Sequence, residues 1–105
     1  MMQQYVAVGR LTNKPKFTYG QKAKCTFFLV VEEKKGSFER TDLIPCVAWR
    51  ELAEIIANYA VKGHLVSVTG KWRSSIYEDE NKKKQYSVEL EVHECIFLDR
   101  PQQDN

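Results

Sequence analysis

Three groups of residues in this chain could do chemistry: thiols with imidazoles, a run of carboxylates, and aromatic rings interleaved with basic side chains. Cys25, Cys46 and Cys95 are an odd count with no close spacing. A zinc site takes pairs two to four residues apart, and His64 and His93 supply no such pair either. Thiols so scattered read as reduced and mostly buried in a cytosolic protein, with no metal and no cofactor. Glu78-Asp79-Glu80 is the one carboxylate cluster, and it sits in a polar stretch followed by Lys82, Lys83 and Lys84. Metal-dependent cleavage wants carboxylates that converge on one point. No acid–base pair or activated nucleophile stands out elsewhere, so the chain does not read as an enzyme. The third group is larger: 5 Phe, 5 Tyr and 2 Trp among 16 Lys and Arg. Flat rings stack on nucleobases and cations neutralise phosphates, so this composition is compatible with single-stranded nucleic acid without singling it out.

The basic residues are unevenly placed although the net charge is only +2. Residues 1–24 hold Arg10, Lys14, Lys16, Lys22 and Lys24 and no acid, while residues 85–99 hold Glu89, Glu91, Glu94 and Asp99 and no Lys or Arg. Such asymmetry suits one face meeting a polyanion, and equally a solvated surface that segregates by strand.

Short strands must position these groups. At 105 residues the chain is one domain with 43% hydrophobic residues for one small core. No apolar run reaches the roughly 18 residues of a membrane helix, and MMQQYVAVGR lacks the pattern of a secretory signal. Tyr5 to Leu11 reads as a first strand, broken by Thr12-Asn13-Lys14-Pro15. Tyr19-Gly20-Gln21 reads as a turn. Lys24 to Glu32 is a strong second strand, with Phe27 and Phe28 assigned to the core, and Glu33 to Ser37 is a hairpin connection. Phe38 to Trp49 returns as a third strand in which Pro45 marks an edge, bulge or bend. Arg50 to Val61 predicts a helix with Leu52, Ile55, Ile56 and Tyr59 on its apolar stripe and Lys62-Gly63 as its stop. A fourth strand runs from His64 to Trp72, with Val66, Val68 and Trp72 on one face. After a loop over residues 78–85, a fifth strand points Val88, Leu90 and Val92 inward and Glu89, Glu91 and His93 outward; Phe97 is also assigned to the core. Arg100 to Asn105 has no apolar anchor and reads as a short tail. Five strands with one helix between the third and fourth predict an all-β fold, the five-stranded Greek-key barrel called the OB-fold, over residues 1–99.

Four segments then become recognisable: Val8-Gly9-Arg10-Leu11-Thr12-Asn13-Lys14-Pro15; Thr41 to Trp49 running into Leu52-Ala53-Glu54; Tyr59 to Gly63 followed by Leu65 to Lys71; and Tyr77-Glu78-Asp79 with Tyr86 and Glu89. In order and spacing they resemble bacterial single-stranded DNA-binding proteins over residues 5 to 98. The resemblance implies sequence-independent binding and protection of single-stranded DNA in replication, recombination or repair, in the cytoplasm. It also implies a homo-oligomer, a tetramer or alternatively a dimer, paired through first strands that carry Tyr5, Val6 and Val8.

By the same resemblance Trp49 occupies a base-stacking position before the helix, Tyr77 another at the far end of the fourth strand, and Phe38 stands near a third. Lys62 and Arg73 match basic positions of the family, and Arg10 and Lys71 stand where bases are common. Lys34 and Lys35 lie in the hairpin arm that wraps the strand, and Lys82, Lys83 and Lys84 in the long loop before the last strand. Trp72 stands where the family carries an aliphatic residue, which assigns it to packing. Leu43 replaces a stacking tryptophan of some members, Glu51 replaces a common lysine, and Ser75 and Ile76 replace bases, so the DNA-facing set is thinned. Typical members end in an acidic tip that recruits other enzymes; here the sequence reads Asp104-Asn105, the pattern of a short form with few such partners. The alternative is an accessory barrel module of the primosomal type whose main partner is a protein.

Overall fold

The structure is a computed structural model that describes residues 2–100. Of the tail read from the sequence, only Arg100 falls within it; residues 101–105 lie outside the described residues. Among the described residues six strands and one helix follow in the order β1 (Tyr5–Leu11), β2 (Lys16–Tyr19), β3 (Ala23–Lys35), β4 (Phe38–Trp49), α1 (Arg50–Tyr59), β5 (Leu65–Glu78) and β6 (Lys84–Asp99). The sheet order is β1-β5-β6-β4-β3-β2, and β1 also pairs with β3, so five strands close into the OB barrel with α1 between β4 and β5.

β2 is the strand that the sequence reading did not find. Both β1 and β2 pair antiparallel with β3, ending at Leu11↔Leu29 and resuming at Lys16↔Thr26. Five residues are gained on one side against three on the other, and the surplus is taken up at Asn13-Lys14-Pro15. The proline breaks the ladder as expected, but its ring is buried and the chain keeps its direction beyond it. The run Lys16 to Tyr19 is exposed throughout, so no apolar alternation announced it.

β3 alternates cleanly: Cys25, Phe27 and Leu29 are buried. Two adjacent strand residues cannot both point inward, and Phe28 is 42% exposed, which corrects its assignment to the core. Pro45 is at an edge, as one of the sequence alternatives had it, because β4 acquires its second neighbour only at Cys46↔Leu90 and Val47↔Glu91, a parallel pairing with β6. β6 carries Leu90 and Val92 inward, but Val88 is 37% exposed, a second correction. Beyond Val92 the register with β5 shifts between Thr69 and Gly70, so His93 is extra and Cys95 and Phe97 turn toward the core.

The helix needs two further corrections. Its buried residues are Ala53 and Ile56, with Leu52 and Ala57 partly covered, whereas Ile55 and Tyr59 face outward. The apolar stripe is therefore rotated by about one residue, with Leu52, Ala53, Ile56 and Ala57 rather than Ile55 and Tyr59 meeting the barrel. The helix also ends at Tyr59, with Ala60 extended, so Lys62-Gly63 does not cap it. Gly63, at φ 88°, instead makes the turn into β5 and donates its N–H to the Leu11 carbonyl at 2.8 Å.

The thiols of Cys25 and Cys46 are buried and that of Cys95 partly so, and all three are free. Burial pushes them up to about 11, about 12 and about 11 respectively, which keeps them protonated and inert at neutral pH. Among the described residues His64 is the one buried polar residue, its ring 5.0 Å from that of Phe97 and its Nδ1 without a hydrogen-bond partner. Burial, and secondarily Arg100, holds this imidazole below its ordinary pKa.

Barrel closure requires two glycines. A Cβ on Gly70 would lie 1.9 Å from the Glu91 carbonyl oxygen, and one on Gly9 would lie 2.5 Å from that of Val30. Both obstacles are backbone, so neither can swing away. Gly70→Ala is expected to cost about 3 kcal/mol, the upper end for overpacking, and urea unfolding checks it; an unchanged midpoint would mean that β5 and β6 can separate there freely.

Candidate functional site

Strand register places the sequence-derived residues on faces. On β3, Lys24, Thr26, Phe28 and Val30 point away from the core, and their partners on β4 are Trp49, Val47, Pro45 and Leu43. Val47 is in turn level with Glu91 of β6, and Glu91 and Glu89 are level with Lys71 and Arg73 of β5. The same parity continues through Ser75 to Tyr77. Trp49, Lys71, Arg73 and Tyr77 thus share one outer face of the curved sheet, and Lys34 joins them by its place on β3.

At one end of this face stands Trp49. β4 passes into α1 with no intervening loop, and the change of direction is made at Arg50, whose φ is 60°. The left-handed region costs a non-glycine residue roughly 1–2 kcal/mol, so the tertiary contacts on both sides must hold it there. That junction fixes Trp49 at the strand end with its ring partly exposed. Two ammonium groups approach the ring, Lys22 Nζ at 4.3 Å and Lys24 Nζ at 5.3 Å from its centroid.

The middle of the face is apolar and then acidic. Phe28 is the aromatic that sequence reasoning missed as a surface residue; strict alternation from Cys25 was the signal for it. Leu43, 60% exposed, lies beyond it on the same face. Arg73 is not a free cation: its Nε lies 3.0 Å from Glu91 Oε2, and His93 Nε2 lies 2.9 Å from Glu91 Oε1. The bond from His93, with Arg73 beside it, holds the Glu91 carboxyl below its ordinary pKa.

The other sequence-derived residues lie elsewhere. Phe38 pairs with Lys35 at the β3–β4 tip, on the opposite side of that hairpin from Lys34 and Trp49, and it is 54% exposed. Arg10 donates from Nη1 to the Gly63 carbonyl at 3.0 Å, next to exposed Lys62, so these two gather at the α1–β5 turn. Arg10 is level with Val30, six residues along β3 from Lys24, or about 20 Å at strand rise.

Lys82, Lys83 and Lys84 surround the β5–β6 turn, which Asp79 organises. Its Oδ1 accepts from the N–H of Asn81 at 2.9 Å and of Lys83 at 3.0 Å, and its Oδ2 from Gln85 Nε2 at 3.0 Å. These bonds, the Lys83 amide first, hold the carboxyl below its ordinary pKa. Lys82 adopts a φ of 60° within this turn. The side of the β5–β6 hairpin opposite Tyr77 exposes Ile76 and Tyr86, which are cross-strand partners. Among the described residues no group of three or more His, Cys, Asp or Glu could hold a metal ion.

Known proteins share this design. The model of the single-strand binding protein family matches residues 2–98. "Single-stranded DNA-binding protein 3" of Listeria innocua is 38% identical over 107 residues, a match covering 97% of this chain and 67% of that protein. "Single-stranded DNA-binding protein 2" of Clostridium acetobutylicum is 34% identical over 103 residues, covering 93% of this chain and 77% of that one. Among solved structures, a Plasmodium falciparum SSB in complex with ssDNA superimposes with a TM-score of 0.84 at 21% identity, covering 94% of this chain and 96% of that one.

The geometry around Asp79 makes a local prediction. Asp79→Ala removes the acceptor for two backbone amides, so hydrogen exchange at Asn81 and Lys83 is expected to speed up by tenfold or more while β3 amides stay protected. Unchanged exchange at both would show that the turn is held by its backbone alone.

Proposed function

The chain belongs to the single-strand binding protein family, and from that premise we propose that it coats single-stranded DNA through the outer face that runs from Trp49 to Tyr77. It is a DNA-binding protein and not an enzyme. Bases stack on the Trp49 and Tyr77 rings, and Lys71 and Lys34 pair with phosphates along the same face. Arg10, Lys62, Lys35 and Phe38 serve the strand where it leaves that face, and Lys82, Lys83 and Lys84 where it crosses the β5–β6 turn. Residues 1–99 act as one binding unit, in the cytoplasm, during replication, recombination or repair.

The observation that supports this reading most is the placement of Trp49. A large ring stands half-open at a strand–helix junction, with its cross-strand partner Lys24 and the turn residue Lys22 beside it. Because stacking reads only the π-face of a base, such a platform accepts any sequence. The Arg73–Glu91–His93 group works against it, since it places a carboxylate in the middle of the path and occupies a cation. That favours moderate affinity, and it is the specific ground for the protein-partner alternative.

Titration with long oligo-thymidine, followed by tryptophan fluorescence, tests the proposal. Quenching that weakens with salt is expected, and Trp49→Ala should cost about 1–3 kcal/mol, roughly 5- to 150-fold in affinity. Absence of quenching at low salt would leave the protein-partner reading in its place.

The reading extends to assembly. Over Tyr5–Gly9, β1 is bonded to β5 alone, because β3 joins it only from Arg10. Its free edge carries Val6 and Val8, 58% and 49% exposed. An unpaired apolar edge is a template for another strand, and a second copy of β1 fits it, giving a dimer that doubles to a tetramer. Light scattering should give a multiple of 12.2 kDa, reduced by Val8→Lys; a monomer mass for the unaltered chain would refute this.

A further inference from the structure

Lys22 and Lys24 belong to the basic segment noted in the sequence but were not among the residues assigned there to DNA contact, yet both converge on the Trp49 ring. Lys24 is the direct cross-strand partner of Trp49, and Lys22 is exposed in the turn that joins β2 to β3. Their ammonium groups lie 4.3 and 5.3 Å from the ring centroid. Among the described residues neither lysine makes an ion pair. Glu51 and Glu54 are near enough to line an open pocket of about 370 Å³ with Lys22, Tyr19 and Arg50, but they do not engage it. Arg73 shows the contrast: that cation is held by a carboxylate, whereas these two have only a ring beneath them.

We propose that Lys22 and Lys24 are a phosphate-binding pair that flanks the base stacked on Trp49, and that in the free protein they are parked on its π-face. This inference rests on the reading of the preceding subsection. A cation over an exposed ring is weakly held, so a base can take its place on the ring without breaking an ion pair. The displaced ammonium then stands beside the sugar–phosphate backbone on either side of that base. The parked state also keeps two long side chains near where they are needed. The β2–β3 turn thereby becomes part of the interface, and the end of the face at Trp49 becomes its most cationic part, opposite the acidic middle at Glu89 and Glu91.

Each ammonium that reaches a phosphate releases counterions, and the log–log dependence of affinity on salt then loses about 0.7 per contact removed. The test is oligo-thymidine binding across a salt series for the unaltered chain, Lys22→Gln, Lys24→Gln, the double variant and Lys22→Arg. The single Gln variants should each flatten the slope by about 0.7 and the double variant by about 1.4. Affinities should differ most at low salt and converge at high salt, Lys22→Arg should restore the slope, and quenching at saturation should persist because the base still stacks. Unchanged slopes, or tighter binding by the Gln variants because the ring has been uncovered, would overturn the inference while the general reading stands. No binding by the unaltered chain would overturn the general reading first, and this one with it.

Discussion

Everything in this structure hangs on closing the barrel through β1. That strand pairs with β5 along its length and with β3 at its last two residues, Arg10↔Val30 and Leu11↔Leu29. Two backbones can come that close only where no side chain intervenes, at Gly9 against Val30 and at Gly70 against Glu91. Once β1 bridges them, β3–β4 and β5–β6 are no longer two independent hairpins. Their inward residues, Cys25, Phe27, Leu29, Val66, Val68 and Leu90, then seal one core with Ala53 and Ile56 of the helix as its lid. The outer face exists as a continuous surface for the same reason, since β4 and β6 meet over just two residue pairs.

Much of this fold was legible beforehand. Strong alternation located β3, β5 and β6, and the order of elements with one helix before the last two strands specified the barrel. What the sequence hid follows from three physical causes. β2 has no buried residue, so periodicity could not mark it; it exists because β3 offers an unpaired edge beyond Pro15. The helix was misoriented because Ile55 and Tyr59 looked like core while Ala53 and Ala57 looked neutral, although these alanines face the barrel beside Ile56. The bulge at His93 likewise reversed parity within one strand, which a strict period of two cannot anticipate.

The candidate site was legible in part. Trp49, Tyr77, Lys71 and Arg73 come to one face as their strand parity requires. Position in the chain could not show that Arg73 is tied to Glu91, because that contact spans two strands and two bonds of a shared carboxylate. Nor could it show that Lys22 folds back over Trp49, since a turn residue advertises only that it is solvated. The acidic segment noticed in the sequence lies partly on the candidate face itself, which favours the second of the two readings of that asymmetry: Glu89 and Glu91 look the same way as Lys71 and Tyr77. Segregation of charge along the chain is thus not segregation in space, because neighbouring antiparallel strands interleave their charges.

The position of β1 also sets an order of events. Its partner in β5 is 65 residues away where Tyr5 meets Gly70, and β4 has no second neighbour until Leu90 and Glu91 exist. Local hairpins close cheaply, whereas joining distant segments carries the larger entropy of loop closure. A chain made from its N-terminus therefore holds β1, β2, β3 and β4 with bare edges from the completion of Trp49 until Leu90 and Glu91 are in place. The barrel becomes possible only once the chain has reached Leu90 and Glu91.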